Sequence, residues 1–540
     1  MKLYISKLII HNFKLFKDIC INMNESVNIF VGENDSGKTT ILEALSMGLT
    51  GKINGYSIMS KLNANWFNLD VRNQYKDKIE KGEDTLLPKI DIEMFFAGLS
   101  ENDSFFNHYR GSNNSLREDA IGVKISIKFN DEYCETYKQL LKEKKIIDIP
   151  VELYKVELST FAQPDYYITK TVNKIAIIDT TKKDYGTVLN RFVSNSIANY
   201  LSEEDETNLR LAYRGNRKEF IDSPVVADLN SKLKEEYKFG NREIGLNLKE
   251  GEIDDWKNEM SLSVDKIPFE NAGFGTQNMI KSEMVFNQNI DVDFLILEEP
   301  ENNLSYSNMS ILISKLADNK SKQLFISTHS SFVANKLGLN HLHLVSNMQT
   351  MPLTELPKEA YDFFVKLPGY NTLRVLLANK IILVEGPADE LIIQRAYLDT
   401  YKKMPIDDGI DVMSVNGTAF KSYCELAKLI EKKIVVVTDN DGSLEKVHER
   451  YNKYNDVISL CVEEDENLNT LEPSVLNANK EKFNDFKTII YKGKKALNYD
   501  GLCEFMLNNK AEWAMRVFQS EERISYPTYI KKAIGVNTDE

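Results

Sequence analysis

Acidic residues follow two apolar runs in the last third of the sequence. Glu385 comes directly after IILV, and Asp439 and Asp441 follow IVVV in the segment TDNDG. Carboxylate oxygens are hard ligands that suit Mg²⁺ or Mn²⁺, and two such ions about 3.5–4 Å apart can promote in-line phosphodiester hydrolysis. Because residues two apart in a strand face the same side, Asp439 and Asp441 could share one metal. We therefore predict a metal site built on these three carboxylates.

A glycine-rich segment near the N-terminus, GENDSGKT, has the spacing of a phosphate-binding loop. Its glycines would let backbone N–H groups surround phosphates, Lys38 would reach the β and γ oxygens, and Thr39 would bind Mg²⁺ at a helix N-terminus. An apolar run precedes the segment and a helical pattern follows it, as the motif requires. The residues predicted to bind nucleotide here are Gly32, Asn34, Gly37, Lys38, Thr39 and Thr40.

Three later segments complete this predicted nucleotide site. In DFLILEEP, Glu298 suits the Mg²⁺ coordination shell and Glu299 suits polarising a water against the γ-phosphate. His329, in FISTHSS, follows another apolar run and could contact the γ-phosphate. GFGTQ offers flexible backbone and side-chain donors through Gly275 and Gln277. The sequence thus predicts an ATP site that accepts one Mg²⁺.

Short apolar runs must position all of these residues. The runs at 293–300, 323–328, 381–386 and 434–442 are each bounded by polar residues, a pattern typical of buried parallel strands. Carboxylates that follow parallel strands meet at the carboxyl edge of the sheet. We therefore predict an α/β protein with two separate groups of parallel strands.

Length, charge and cysteine content narrow the class of protein. The 540 residues predict three to four domains, and the net charge of −14 argues against a uniformly basic nucleic-acid surface or an anionic-membrane surface protein. The five cysteines lie far apart without a CxxC pair, so we expect neither a structural zinc site nor disulfides. Without a signal peptide or a run of about 20 apolar residues, the sequence predicts a soluble cytoplasmic protein.

The order of the nucleotide motifs resembles the ABC-type ATPase heads of the RecF/SMC group. The opening IIHNFKLFKD is also similar to the N-terminal strand of that group. This resemblance implies a dimer in which GFGTQ of one chain closes the nucleotide of the other. Two positions depart from the group's pattern, because Gly273 stands where Ser is usual and Glu298 stands where Asp is usual.

The acidic pattern of the last third resembles the Toprim domain, and an ABC head followed by Toprim resembles the OLD family of nucleases. The resemblance implies that one of the adjacent acids in VEGPADE binds metal and that Glu472, in NTLEPSV, helps hold a second ion. It also implies that Lys510 stabilises the developing phosphate charge. The residues given catalytic or metal-binding roles are Glu385, Asp389, Asp439, Asp441, Glu472 and Lys510.

The resemblance divides the chain into four predicted parts. Residues 1–160 form the N-terminal lobe of the ATPase head, and residues 161–260 form a helical dimerisation insert. Residues 261–372 form the C-terminal lobe of the head, and residues 373–540 form a parallel-sheet, Rossmann-like Toprim domain. The predicted fold class is α/β throughout.

The predicted function is that of an ATP-binding, divalent-metal-dependent DNA endonuclease or nickase controlled by an ABC ATPase homodimer or higher oligomer. Mg²⁺ or Mn²⁺ would supply two ions to the Toprim site and one to ATP. Family resemblance favours anti-phage defence, either with a UvrD-like helicase as in Gabija or with a reverse transcriptase and its RNA-linked DNA as in retrons. The alternative is a non-cutting, ATP-dependent DNA sensor or repair clamp with an inactive Toprim domain.

Overall fold

The fold is described from a computed structural model of the chain. The residues that the structure describes are 3–53, 55–82, 87–98, 104–162, 175–179, 201–237, 244–249, 256, 263–286, 293–318, 322–346, 348–366, 374–375, 378, 380–415, 420–493 and 496–536. They form two compact units. The first unit comprises Met1–Leu8, Leu42–Phe67 and Arg72–Ile326, and the second comprises Ile9–Ile41, Asn68–Val71 and Ser327–Glu540.

An antiparallel sheet lies in the first unit. Its central strand, Ala120–Phe129, pairs with Ile90–Ala97, with Arg110–Gly111 and with Tyr154–Thr160. Every second residue from Val123 to Ile127 on the central strand is buried, so one face of this strand belongs to the core. The alternation is the expected pattern for an antiparallel strand with one face in the core.

Parallel strands of the first unit carry the predicted carboxylate segment. Phe294–Glu298 pairs in parallel with Ile175–Asp179, and Asp179 lies opposite Glu298. The carbonyl of Asp293 accepts a hydrogen bond of 2.8 Å from the backbone N–H of Gln323, at the start of strand Gln323–Ser327. Glu298 therefore stands at the end of a buried strand, as the sequence predicts.

In the second unit, the phosphate-loop strand Val27–Val31 pairs in parallel with Leu342–Ser346, which pairs antiparallel with Gln349–Pro352. The carbonyl of Phe30 also accepts a hydrogen bond of 3.1 Å from the N–H of Thr328. All five residues of Val27–Val31 are buried. The glycine-rich segment therefore emerges from the interior of a sheet and leads into helix Lys38–Thr50.

A four-stranded, all-parallel sheet forms the later part of the second unit. The strand order is Ile410–Ser414, Lys380–Val384, Ile434–Val437 and Ile458–Cys461. Side chains from its flanking helices, including Phe486, Trp513 and Ile530, are almost completely buried against Ile382 and its neighbours. Each such side chain contributes roughly 1.5–3 kcal/mol through burial. The predicted α/β class is confirmed.

The described helices have the following bounds. They are Lys38–Thr50, Ile58–Lys61, Leu69–Glu80, Cys134–Lys142, Glu203–Ile221, Pro224–Glu236, Phe274–Phe286, Tyr306–Asp318, Ser331–Leu337, Lys358–Lys366, Pro387–Tyr401, Phe420–Leu429, Leu444–Tyr451, Leu471–Ala478, Phe483–Ile490, Tyr499–Asn508, Lys510–Gln519 and Thr528–Ala533. None of the helices in these described ranges is long and apolar enough to cross a membrane.

Two helices lie within the predicted insert. Glu203–Ile221 begins at a capping box formed by Ser202 and Asp205, and Pro224–Glu236 begins with a proline at its first turn. Residues 163–174, 180–200, 238–243, 250–255 and 257–262 lie outside the described part of the chain, as does the junction at 372/373. The four-part domain division and the role of the insert in dimerisation stay predictions.

Arg395 joins the sheet's flanking helix to the C-terminal segment. It lies in Pro387–Tyr401 and is 5% exposed. Its guanidinium donates to the carbonyls of Val517 (3.1 Å), Phe518 (2.9 Å), Ser520 and Glu522 (3.2 Å) and to the carboxylate of Asp399 (3.0 Å), which also accepts from Tyr526. This network fixes the segment that follows helix Lys510–Gln519.

We predict that Arg395→Met destabilises the later part of the second unit by about 3–5 kcal/mol, because it removes the cation that pairs with Asp399 and the donor that several carbonyls share. Hydrogen exchange of peptides from helix Lys510–Gln519, measured across a urea series, should show earlier exposure than in the parent protein. The exposed Arg523→Met serves as the control and should leave exchange unchanged. Equal behaviour of the two variants would contradict the role given to Arg395.

Candidate functional site

Two parallel strands deliver the first acidic pair. Lys380–Val384 and Ile434–Val437 are neighbours, and Glu385 and Asp439 stand just past their carboxyl ends. Glu385 Oε1 accepts hydrogen bonds from the backbone N–H of Asp439 (2.8 Å) and from Thr438 Oγ1 (2.5 Å). The structure therefore brings together the two acids that the sequence predicted at this edge.

Asp389 joins this pair from the start of helix Pro387–Tyr401. Its Oδ2 accepts a hydrogen bond of 3.1 Å from the backbone N–H of Gly386, next to Glu385. The adjacent Glu390 has different neighbours, because Gln394 donates to it at 3.3 Å and the charge of Arg374 acts on it. Of the two adjacent acids in VEGPADE, Asp389 is therefore the one gathered with Glu385.

Glu472 and Lys510 complete the group. Glu472 is 1% exposed in the first turn of helix Leu471–Ala478 and accepts a hydrogen bond of 3.0 Å from Thr470 Oγ1. Lys510 Nζ lies 3.7 Å from Glu472 Oε1, and just over half of the lysine side chain is exposed. The buried Glu472 thus lies beside Lys510, a cation whose side chain is still exposed to solvent. We call Glu385, Asp389, Asp439, Glu472 and Lys510 the carboxylate cluster.

The electrostatics of the carboxylate cluster are those of crowded acids. Burial, followed by the charge of Glu385, raises the pKa of Asp389 to about 7. Burial and the charges of Glu385, Asp389 and Glu472 raise the pKa of Asp439 to about 8, although Lys510 acts in the opposite direction. These partly buried carboxylates therefore repel one another.

Sequence reasoning missed Tyr529, which lies near enough to the carboxylate cluster for the charges of its acids to act on the tyrosine. Tyr529 is 6% exposed in helix Thr528–Ala533. Burial raises its pKa well above the usual value for tyrosine, and the charges of Asp389 and Asp439 raise it further. A tyrosine 90 residues after Asp439 carries no local motif, so spacing alone could not have identified it.

Asp441 differs from its prediction. The strand ends at Val437, so the alternation that would place Asp439 and Asp441 on one face does not extend to them, and that argument is wrong. Asp441 is exposed and has a left-handed backbone (φ 49°). Asn440, between them, is fully buried and donates at 2.9 Å to the carbonyls of Glu463 and Asp465. A metal-binding role for Asp441 stays a prediction.

The donor chemistry of the carboxylate cluster fits a divalent cation. Carboxylate oxygens are the ligands that Mg²⁺ and Mn²⁺ prefer, and the raised pKa values of Asp389 and Asp439 record a deficit of positive charge among them. Within the described residues, no three Asp, Glu, His or Cys side chains are arranged to hold a metal ion by themselves. Water and phosphate oxygens would therefore have to supply part of any coordination shell.

The phosphate loop shows why its glycines are needed. Gly37 has φ +108°, and a Cβ on it would lie 2.5 Å from the ring of Phe16. A Cβ on Gly32 would lie 2.2 Å from the carbonyl of Val345. Lys38 is 6% exposed, and its Nζ donates to the carbonyls of Gly32 (3.0 Å) and Glu33 (2.7 Å). Only glycine fits both positions of this loop.

Other donors surround the same loop. Ser36 Oγ is buried and has no hydrogen-bond partner among the described residues, a hydroxyl that suits an anionic ligand. Asn34 and Thr39 are exposed, whereas Thr40 is 6% exposed inside the first turn of the helix. His329 directly follows Thr328, whose N–H bonds to the phosphate-loop strand at Phe30. The structure therefore brings His329 next to the strand that leads into the loop.

The remaining nucleotide candidates lie in the first unit. Glu298 is 9% exposed, and Glu299 has a left-handed backbone (φ 45°) while its carboxylate accepts a hydrogen bond of 2.7 Å from Asn302. GFGTQ is not the flexible segment that was predicted, because Phe274 begins helix Phe274–Phe286 and Gln277 Nε2 donates to the carbonyl of Ala272 at 2.9 Å.

Gly275 packs against the turn that follows Glu299. A Cβ on Gly275 would lie 2.5 Å from the carbonyl of Asn303, so a larger residue could not occupy this position without moving the backbone. The start of helix Phe274–Phe286 and the turn after Glu299 therefore pack closely against each other within the first unit.

Comparison with known families covers most of the chain. The family described as "AAA ATPase domain" matches residues 1–334. The family described as "Overcoming lysogenization defect protein-like, TOPRIM domain" matches residues 376–441, which include Glu385, Asp389, Asp439 and Asp441.

Several known proteins are similar to this chain. It is 22% identical over 458 residues to Endonuclease GajA of Bacillus cereus, covering 81% of this chain and 75% of that protein. It is 29% identical over 179 residues to the DNA replication and repair protein RecF of Clostridium kluyveri, covering 32% of this chain and 43% of that protein. The C-terminal region of the Xanthomonas campestris OLD protein matches 29% of this chain and 90% of that structure, with 19% identity and a TM-score of 0.24. The chain therefore belongs to the AAA ATPase domain family and carries an OLD-like TOPRIM domain after its ATPase region.

Proposed function

We propose that this protein is an ATP-binding, divalent-metal-dependent DNA endonuclease or nickase whose TOPRIM domain cuts under the control of its ATPase region. The observation that carries the proposal is the carboxylate cluster at the carboxyl edge of the four-stranded parallel sheet. Its three interacting acids near the strand ends, a buried fourth acid and a half-exposed lysine suit phosphoryl chemistry. The similarity to Endonuclease GajA over most of the chain supports the same activity.

Each member of the carboxylate cluster has a distinct proposed role. Glu385 is held by the N–H of Asp439 and by Thr438, so its free carboxylate oxygen is fixed in direction. Asp389, Asp439 and Glu472 would hold Mg²⁺ or Mn²⁺ with it, and we propose two ions. When bound, such ions activate water and neutralise charge on the phosphodiester. Lys510 would add positive charge to the phosphate oxygens from the solvent-facing side of Glu472.

The ATPase region would bind ATP with one Mg²⁺. Lys38 would exchange the carbonyls of Gly32 and Glu33 for phosphate oxygens, and Thr39 would ligate the ion. Glu298 would contribute to the Mg²⁺ shell, and Glu299 would orient the attacking water. The other proposed nucleotide contacts are Asn34, Thr40, Gly275, Gln277 and His329. A homodimer or higher oligomer, with GFGTQ acting on the partner's nucleotide, belongs to the same proposal.

An anti-phage role also belongs to the proposal. Its support is the family resemblance, which pairs such nucleases with a UvrD-like helicase or with a reverse transcriptase and its RNA-linked DNA. The partner stays a prediction. A repair ATPase without cleavage is the second candidate, favoured by similarity to RecF over 179 residues. Metal-dependent cleavage separates the two functions.

We predict that Asp389→Asn reduces Mg²⁺- or Mn²⁺-dependent plasmid cleavage by about 10- to 100-fold or more, because it removes one charged donor from the carboxylate cluster. Glu390→Gln is the matched control on the same helix turn and should cleave at nearly the parent rate, because Glu390 interacts with Gln394 and Arg374 instead. Agarose-gel conversion of supercoiled plasmid measures both. Loss of cleavage in the Glu390 variant alone would contradict the assignment.

The raised pKa values predict that divalent ions stabilise the protein more at high pH. Asp389 and Asp439 keep their protons in the folded protein up to about pH 7 and 8, whereas ordinary aspartates ionise near pH 4. Without metal, their contribution to stability is present at low pH and is lost as the pH rises through these values. Mg²⁺ or Mn²⁺ offsets the repulsion among the ionised carboxylates.

The thermal midpoint in EDTA and in excess Mn²⁺, measured at about pH 6 and about pH 8.5, tests this expectation. The increase on adding Mn²⁺ should be larger at the higher pH and should shrink in Asp439→Asn. The exposed Asp485→Asn should behave like the parent. If Mn²⁺ raises the thermal midpoint of the parent equally at both pH values, the carboxylate cluster is not the source of the stabilisation.

We predict that Lys38→Ala lowers affinity for ATP at least about tenfold, because the ammonium group is the charged donor of the phosphate loop. Equilibrium binding of a fluorescent ATP analogue measures the loss. Lys52→Ala, an exposed lysine two residues after the end of helix Lys38–Thr50, is the control and should bind as the parent does. Unchanged binding in the Lys38 variant would remove the nucleotide site from the proposal.

A further inference from the structure

A cavity of about 460 Å³ in the second unit borders the phosphate loop on one side and a turn of the TOPRIM region on the other. Residues 32–36 of the loop and residues 430–433 of the turn line it, together with the end of strand Leu342–Ser346. The phosphate loop therefore meets charged groups that the nucleotide-binding motifs do not include.

The turn delivers Lys432 in a fixed geometry. Helix Phe420–Leu429 ends with hydrogen bonds from Lys432 N to the Ala427 carbonyl (2.9 Å) and from Glu431 N to the Lys428 carbonyl (3.3 Å). Glu431 between them is left-handed, with φ 52°. These are the two bonds of a Schellman cap, and they fix the direction in which the next side chain leaves the helix.

From this position Lys432 forms an ion pair with Glu33 of the phosphate loop. Its Nζ lies 3.0 Å from Glu33 Oε1, and its side chain is only 13% exposed. Glu33 is also the residue whose carbonyl accepts a hydrogen bond from Lys38 Nζ at 2.7 Å. A carboxylate at this point of the loop would repel a bound triphosphate unless a cation compensated its charge.

We propose that Lys432 is a positioning residue of the nucleotide site: it neutralises Glu33 and thereby lets the phosphate loop accept the polyphosphate of a nucleoside triphosphate. The proposal rests on the nucleotide-binding part of the proposed function. It adds to the ATP site a residue from the TOPRIM region, 399 positions away from its partner in the chain. Lys432 acts through Glu33 and has no role in bond breaking.

A double-mutant cycle tests the pair in the full-length protein, with equilibrium binding of a fluorescent ATP analogue in the presence of Mg²⁺. Lys432→Met should weaken binding about 3- to 10-fold, because it leaves Glu33 charged and unpaired beside the phosphates. Glu33→Gln should bind at least as tightly as the parent. Lys432→Met combined with Glu33→Gln should recover parent affinity, and Lys432→Arg should retain it.

Lys433→Met is the matched control, since Lys433 lines the same cavity and carries the same charge. It should change affinity less than twofold. Equal weakening in the Lys432 and Lys433 variants would overturn the proposal in favour of a general effect of charge. Persistent weakness of the Lys432→Met, Glu33→Gln protein would overturn it in favour of direct contact between Lys432 and phosphate.

The same assay separates this proposal from the proposed function. If the parent binds the analogue and loses it with Lys38→Ala, but Lys432→Met binds like the parent, only the inference about Lys432 fails. If the parent does not bind the analogue, both the ATP-binding part of the proposed function and this inference fail. A circular dichroism spectrum and thermal midpoint of Lys432→Met that match the parent show that weakened binding does not come from misfolding.

Discussion

Mutual repulsion among crowded carboxylates is the constraint on which the arrangement of the TOPRIM region depends. Glu385, Asp389, Asp439 and Glu472 are held at one sheet edge, where burial and their own charges raise the pKa of Asp389 to about 7 and that of Asp439 to about 8. Such an arrangement opposes folding, so other interactions must hold it together. Backbone N–H groups, two threonine hydroxyls and Lys510 provide local compensation. The apolar core beneath the sheet supplies the rest.

The C-terminal helices are part of that support. Lys510 and Tyr529 lie near the acids of the carboxylate cluster because the chain returns to the sheet after residue 500. Arg395 fixes this return by bonding carbonyls of the connecting segment and the carboxylate of Asp399. Helix Pro387–Tyr401 therefore carries both Asp389 of the carboxylate cluster, at its start, and Arg395, which anchors the C-terminal segment nearly two turns later.

Sequence patterns predicted the strands and the residues directly after them. The runs before Glu385 and Asp439 are neighbouring parallel strands, as expected, because short continuous apolar runs are typical of strands that are buried on both faces of a parallel sheet. The argument from strand alternation failed at Asp441, because the strand ends at Val437 and Asp441 itself has a left-handed backbone. The prediction of flexible backbone also failed for GFGTQ, which begins a helix. The roles of Arg395 and Lys432 could not be recognised: the carbonyls that accept from Arg395 and the carboxylate that pairs with Lys432 are more than 100 residues away, and no local pattern records such pairs.

Lys432 and Asp439 stand at opposite ends of one strand, Ile434–Val437. The seven steps of the chain from residue 432 to residue 439 span at most about 23 Å, because an extended backbone rises about 3.3 Å per residue. The neighbouring strands Lys380–Val384 and Ile458–Cys461 both pair with this strand in parallel and fix its position in the sheet. One short strand therefore separates Lys432, which pairs with the phosphate loop, from Asp439 of the carboxylate cluster, although nearly four hundred residues of chain lie between Glu33 and Lys432.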